Sequence, residues 1–211
     1  MKLPSVGKML GDYAEGDIVL LNEGGSPVEF YVAKHDYEAG LNGTGRTLLV
    51  RKDCYDKRVW DSSVNAYATS AIDTWLNGDY KALLDAAVQA AMGTTKFYYT
   101  PGNGNTTVTT LDRGVFLLSI TELGKTASYA NTEGSALPIA STLRAAYLDG
   151  SGVGQWTRSP NTNYTNNFCM LTARGVASFG ATGNTYGSRP SFTLPSTAVF
   201  HPNTNEFKGV A

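Results

Sequence analysis

The sequence predicts an α+β domain, a mixed or antiparallel sheet with two helices and long loops. Three observations lead there. Short β-branched or aromatic runs bounded by Gly, Asn and Pro open the chain, two segments with apolar residues every three or four positions follow, and short strands separated by Gly-, Asn- and Thr-rich stretches close it. With 211 residues and neither an internal repeat nor a long linker, a single domain is expected over residues 17–211, behind an N-terminal tail over residues 1–16.

The elements follow in order. Asp17 to Leu21, Val28 to Ala33 and Thr47 to Val50 read as strands. Ala68 to Leu76 reads as a helix with Ala71, Ile72, Trp75 and Leu76 on one face and Asn77-Gly78 as its stop. Asp79 is expected to cap a second helix, whose apolar positions are Leu83, Leu84, Ala87, Val88 and Ala91, with Gly93 ending it. Gly93 to Asn105 has the composition of a loop, and Val115 to Leu118 that of a buried strand. A short helix over Ala140 to Leu148 leads to the Gly-rich stretch Gly150 to Gly154. Phe168 to Thr172 and Val176 to Phe179 form a hairpin around Ala173-Arg-Gly175, and Arg189 to Leu194 is the last strand.

Charge excludes several function classes. Lys+Arg number 17 and Asp+Glu 18, a net charge of -1, so no basic field can hold a nucleic-acid backbone or an anionic membrane. The longest apolar run, Val115 to Ile120, is far short of the ~20 residues of a membrane span. No apolar segment follows the first lysines, so no signal peptide is expected. Acidic residues stop at Asp149 and reappear only at Glu206, so the segment between cannot supply a carboxylate pair or a calcium cage by itself.

The chemical motifs are fragments. Gly124-Lys-Thr126 lacks the glycine that a phosphate loop would need at Ser119, Gly150 to Gly154 follows a helix where a dinucleotide fingerprint follows a strand, and Ser5 to Lys8 has an S-x-x-K spacing without its companion motifs. His35 and His201 have no ligand at metal-binding spacing, and Cys54 and Cys169 read as small buried hydrophobes with redox or copper chemistry as the alternative. No cofactor and no metal are expected.

Between Thr157 and Ser188, 18 of 32 residues are Asn, Thr, Ser or Gly, interleaved with Tyr164, Phe168, Phe179 and Tyr186. Adaptable hydrogen-bonding groups around rigid aromatics are what protein-binding loops use; a polar hairpin is the bland alternative.

Four segments in order carry a resemblance: Ser70-Ala-Ile-Asp-Thr-Trp-Leu-Asn77, Asp112-Arg-Gly-Val-Phe-Leu-Leu-Ser-Ile-Thr-Glu-Leu-Gly124, Gln155-Trp-Thr-Arg-Ser-Pro160 and Gly187-Ser-Arg-Pro-Ser-Phe-Thr-Leu-Pro195. Together they resemble an uncharacterised domain family of bacteria and phages with a W-L-R-S-P and G-V-R-P signature, which looks like a branch of the C-type-lectin-fold proteins. That resemblance implies a C-type-lectin-like fold. It also implies kinship with the variable proteins of diversity-generating retroelements, many of them phage receptor-binding proteins with a rewritten C-terminal ligand face. Carried onto this chain, the face comprises Asn161, Asn163, Tyr164, Asn166, Asn167, Ser178, Phe179, Thr182, Asn184 and Tyr186, while Trp75, Trp156, Arg158 and Arg189 are structural. Asp73, Gln155, Thr157 and Ser188 depart from the family pattern, and the first removes an expected ion pair. The calcium-dependent sugar-binding sequences E-P-N and W-N-D are absent, and the cysteine pair of formylglycine-generating enzymes has no counterpart in the contexts of Cys54 and Cys169.

The function expected is a non-enzymatic, metal-independent ligand-binding module on a phage virion surface, made in the bacterial cytoplasm. Its partner would be a bacterial surface protein or glycan, with other virion proteins or a second copy of the chain as further partners. A structural virion or cell-surface protein is the alternative, and an enzyme using Cys54, Cys169, Asp61, Asp112 or Glu122 is the third reading.

Overall fold

The computed structural model describes residues 7–211 and is a mixed α and β structure, mostly antiparallel sheet with few short helices. A four-stranded antiparallel sheet runs Ser191–Pro195, Arg46–Arg51, Ser26–Lys34, Ile18–Glu23 in spatial order. A five-stranded sheet runs Ala177–Ala181, Asn167–Leu171, Gln155–Pro160, Thr185–Ser188, Asp56–Val59, its one parallel contact pairing Gln155 with Gly187. The chain passes from Ser188 to Ser191 through Arg189-Pro190 alone, which ties the two sheets together. Apolar side chains from both, including Phe30, Trp156, Phe168 and Phe192, share one core. Burial of these residues is the main stabilising term, since each large side chain removed from water contributes roughly 1.5–3 kcal/mol.

The expected tail is structure from residue 8 onward. Lys8–Met9 pairs with Ala198–Phe200, which pairs in turn with Phe207–Val210, and Leu10 and Tyr13 are buried. The remainder of the tail, residues 1–6 with Ser5 among them, lies outside the described residues. Sequence reading assigns no strand after Leu194, and both C-terminal strands are short, three and four residues, and pair with each other and with the chain's start.

The helices are divided differently from the expectation. Ser70 caps Ala71–Trp75, its Oγ accepting the Asp73 N–H at 3.2 Å, but the coil does not stop at Asn77-Gly78: it continues through a wider turn at Leu76–Tyr80 and on to Lys81–Leu83. Asn77 is spent on tertiary contacts, donating to the Val115 carbonyl at 3.0 Å and accepting the N–H groups of Gly114 and Val115 at 3.1 Å. The break falls instead at Leu84, where the Leu83 carbonyl accepts the Gly24 N–H at 2.8 Å and the Asp85 N–H donates to the Asn22 carbonyl at 3.3 Å. Asp79 therefore caps nothing, and the second helical segment is Ala86–Met92, buried through Val88 and Met92. Thr95–Tyr99, expected as loop, is a strand paired with Thr109–Arg113, while Val115 to Leu118 is buried and joins both sheets, Phe116 bridging Ser191 and the Leu118 carbonyl accepting the Arg158 N–H at 3.0 Å. The helix expected to reach Leu148 is Ala140–Leu143.

Candidate ligand-binding face

Asn65 organises the loop that carries most of the predicted residues. It is buried, and its Nδ2 lies within hydrogen-bonding distance of the carbonyls of Asn161 (2.9 Å), Tyr164 (2.7 Å) and Asn167 (3.0 Å). Its Oδ1 accepts the Asn103 N–H at 2.6 Å and its own N–H donates to the Thr165 carbonyl at 2.7 Å. Loop 161–166 is thus fastened to loop 101–107 by one side chain. Gly102 permits the approach: at φ +80° it takes the left-handed conformation, and a Cβ there would stand 1.7 Å from the Asn65 carbonyl oxygen.

On this frame Asn163, Tyr164 and Asn166 are exposed on the loop, Phe179 on the edge strand Ala177–Ala181 and Asn184 on the following turn. The Tyr164 and Phe179 rings stack at 6.3 Å, and Tyr129 meets Phe179 edge-on at 5.1 Å. Tyr164 is 55% exposed and Phe179 44%, an aromatic pair partly open to solvent. Between this loop and loop 101–107 lies a cleft of about 50 Å³ lined by Thr100, Gly102, Asn105, Pro160, Asn161 and Tyr164, room for a few waters or one small group.

Five predicted face residues do not fit a contact surface cleanly. Asn161 and Thr182 are buried: Asn161 Oδ1 accepts the Asn163 N–H at 2.9 Å to form the turn, and Thr182 N–H donates to the Asn166 carbonyl at 2.9 Å. Tyr186 is half-buried with its ring edge-on to Trp156 at 4.6 Å and against Gly154 and Gly180, a packing role. Asn167 and Ser178 are half-buried within strands. Composition could not separate these from their exposed neighbours, because sorting them depends on strand register and on Asn65 and Tyr129, which no local sequence pattern marks.

The residues expected to be structural all sit in load-sharing positions. Trp156 is buried and donates its indole N–H to the Arg58 carbonyl at 2.9 Å; Trp75 packs on Tyr55 and Tyr80 beneath the Arg58 guanidinium. Arg189 donates to four carbonyls, those of Arg51, Lys52, Leu143 and Ala145, and so holds two loops against a strand end. Arg158 is fully buried and bonds Glu122 at 2.6 Å and the Leu117 and Tyr98 carbonyls at 2.9 and 3.0 Å. Burial works against its charge, yet the Glu122 carboxylate outweighs that and raises its pKa. Glu122 also accepts from Tyr37 at 2.5 Å and the Ser119 N–H at 2.8 Å, while Glu133, its pKa pushed up by burial, accepts from Ser159 and the Thr100 N–H at 2.6 Å. The carboxylates that the C-terminal segment lacks are thus supplied by the preceding loop.

The departures from the family pattern have partners of their own. Asp73 pairs with Arg113 at 2.8 Å, so an ion pair exists where its loss was expected. Gln155 donates to the Leu143 carbonyl at 2.8 Å, Thr157 to the Cys169 carbonyl at 2.7 Å, and Ser188 to Asp56 at 2.5 Å. Each of these four side chains has at least one hydrogen-bond partner, as burial requires.

The groups of the enzymatic reading are dispersed. Cys54 and Cys169 are free and buried in different apolar clusters; burial pushes the Cys54 thiol up to about 11 and the Cys169 thiol higher still, away from the thiolate that reacts. Glu122 is consumed by the Arg158 network and Asp61 bonds its neighbour Ser62. His35 bridges Thr47 and the Tyr13 carbonyl. Among the described residues, no group of three or more His, Cys, Asp or Glu side chains could hold a metal ion, and no helix is long and apolar enough to cross a membrane.

Comparison with known proteins gives one match. Neither a curated protein nor a solved structure matches the chain. A family model described as a domain of unknown function, DUF6273, matches residues 44–196, which hold the whole five-stranded sheet and two strands of the four-stranded one. With well over half of its length matched, the chain belongs to the DUF6273 family.

Proposed function

We propose that this chain is a non-enzymatic ligand-binding module with a C-type-lectin-like fold, a phage receptor-binding or virion-surface protein whose ligand is a bacterial surface protein or glycan. The observation that carries the reading is the exposed aromatic pair Tyr164–Phe179, with Tyr164 on the loop held by Asn65, Phe179 on the adjacent edge strand, and the exposed amides of Asn163, Asn166 and Asn184 on the same loop and the following turn. Rigid aromatic surface binds at low entropic cost, and neighbouring amides supply both donors and acceptors. No charged side chain lies between Ser159 and Ala173, so contacts there are made by stacking and neutral hydrogen bonds.

The test is saturable binding of fluorescently labelled protein to a panel of bacterial cells, with Tyr164→Ala/Phe179→Ala beside the wild type. The double variant should lose about tenfold or more in affinity, since central aromatic anchors each contribute upward of about 1 kcal/mol, while its melting temperature holds. Saturable binding that survives the double substitution removes the face from the reading. Assembly with virion proteins and no cell binding at all would support the structural alternative instead.

A further inference from the structure

The five-stranded sheet has two edges of opposite character. At one, Asp56–Val59 places Asp56, Lys57 and Arg58 in four residues, the charge density that keeps an open strand from pairing. At the other, Ala177–Ala181 reads Ala-Ser-Phe-Gly-Ala, with no charge and no proline, and its five pairs with Asn167–Leu171 run without a register shift. It is a regular, unguarded edge.

The hydrogen-bond pattern says which backbone groups face outward. The Thr182 N–H donates to the Asn166 carbonyl and the Thr172 N–H to the Val176 carbonyl, both at 2.9 Å. Because bonded and non-bonded pairs alternate along an antiparallel ladder, Gly180 and Ser178 bond inward, and Ala177, Phe179 and Ala181 turn their N–H and C=O groups away from the sheet. Among the described residues nothing else bonds the backbone of Ala177 or Phe179. The Ala181 carbonyl already accepts the Asn184 N–H at 2.9 Å, so the outward groups left for a partner are the N–H and C=O of Ala177 and Phe179 and the N–H of Ala181.

We propose that this edge pairs antiparallel with the same edge of a second copy of the chain, about a two-fold axis at Phe179. The sequence selects a copy of itself through its symmetry: Ala177 faces Ala181, Ser178 faces Gly180 and Phe179 faces its mate, small residues flanking one large one on both sides. The five paired residues carry no charge, so antiparallel pairing sets no like charges against each other. The Phe179 ring lies on the sheet face where Tyr129 and Tyr164 meet it. Pairing therefore brings the two aromatic groups side by side into one platform built from both copies. The dimer stands on the edge geometry alone; the shared platform as a ligand site rests on the function proposed above.

Sedimentation equilibrium of the full chain over a dilution series tests the dimer without any ligand. The wild type should associate reversibly to a dimer. Ala177→Pro removes an outward N–H without breaking a bond within the chain, and because symmetry counts the loss twice, dimer dissociation should rise about tenfold or more with the melting temperature unchanged. Phe179→Cys should crosslink to a covalent dimer under mild oxidation, as facing residues in a bonded antiparallel pair stand about 5.5 Å apart, within disulfide range; Asn184→Cys should not. Should Ala177→Pro fail to fold, the cysteine pair decides. A chain that stays monomeric at every concentration, or a dimer in which Phe179→Cys does not crosslink, overturns the proposal. Loss of cell binding with the dimer intact would instead count against the function alone.

Discussion

Replacing Glu122 by Gln probes the buried ion pair that ties the strand Gln155–Pro160 to the preceding loop. Arg158 and Glu122 are both wholly shielded from water, and the guanidinium Nη1 stands 2.6 Å from Glu122 Oε2. Glutamine keeps one acceptor for Tyr37 or for the Ser119 N–H, but it removes the charge that offsets a buried cation and turns an NH₂ group toward a donor. Glu133 and Glu38 then remain as nearby acidic groups. Breaking a buried pair from one side costs about 3–5 kcal/mol, a large share of the roughly 5–15 kcal/mol that holds a typical domain folded. Urea unfolding followed by circular dichroism, at unchanged slope, should show the midpoint falling accordingly. Arg158→Met will also be costly, because the carbonyls of Leu117 and Tyr98 lose their donor. The double variant should be more stable than the sum of the two losses predicts, by about 0.5–3 kcal/mol, since no lone charge is left behind. A loss below about 1 kcal/mol for Glu122→Gln would refute the reasoning, because it would mean that water or Glu133 already neutralises Arg158.

Trp156→Ala should lower unfolding free energy by about 3–5 kcal/mol and Tyr186→Ala by about 1–3, whereas Tyr164→Ala stays within about 0.5, all read from denaturant titrations. Gly102→Ala should cost more than about 1 kcal/mol and expose loops 101–107 and 161–166 to limited proteolysis, because its Cβ meets the Asn65 carbonyl and its φ is positive. Burial, only partly offset by Arg113, pushes the Asp73 carboxyl up to about 6. A carboxyl raised above its unfolded value of 3.8 supports the fold most fully below that value, and the support fades as pH rises through about 6. The melting temperature of the wild type relative to Asp73→Asn should accordingly fall between about pH 4 and 6.

Much of the sheet was legible because its cues are local. The three N-terminal strands, the hairpin around Gly175 and the strand ending at Pro195 each combine β-branched or aromatic residues with a turn residue at the right offset. The helix boundaries failed for the opposite reason. Asn77-Gly78 is a good stop signal taken alone, yet the Asn77 side chain is more stable holding Gly114 and Val115, and the chain bends later, where the Gly24 and Asn22 backbones capture Leu83 and Asp85. Thr95–Tyr99 looked like loop because its partner strand lies beyond an Asn- and Gly-rich stretch that dominates the local composition.

The sequence by itself determined the class of structure, the absence of a strong charge field, and a neutral aromatic and amide stretch confined to the last third of the chain. These are sums or short-range patterns, and folding cannot alter them. Only the tertiary structure decided which of those residues meet solvent, because exposure depends on partners distant in the chain: Trp156 takes Tyr186 inward, Asn65 fixes the loop that leaves Tyr164 outside, and Tyr129 arrives to support Phe179. It likewise decided the charge balance of the interior, where Glu122 and Glu133 reach across to an arginine whose own segment holds no acid, since a buried cation is stable only where the fold brings it a counter-charge.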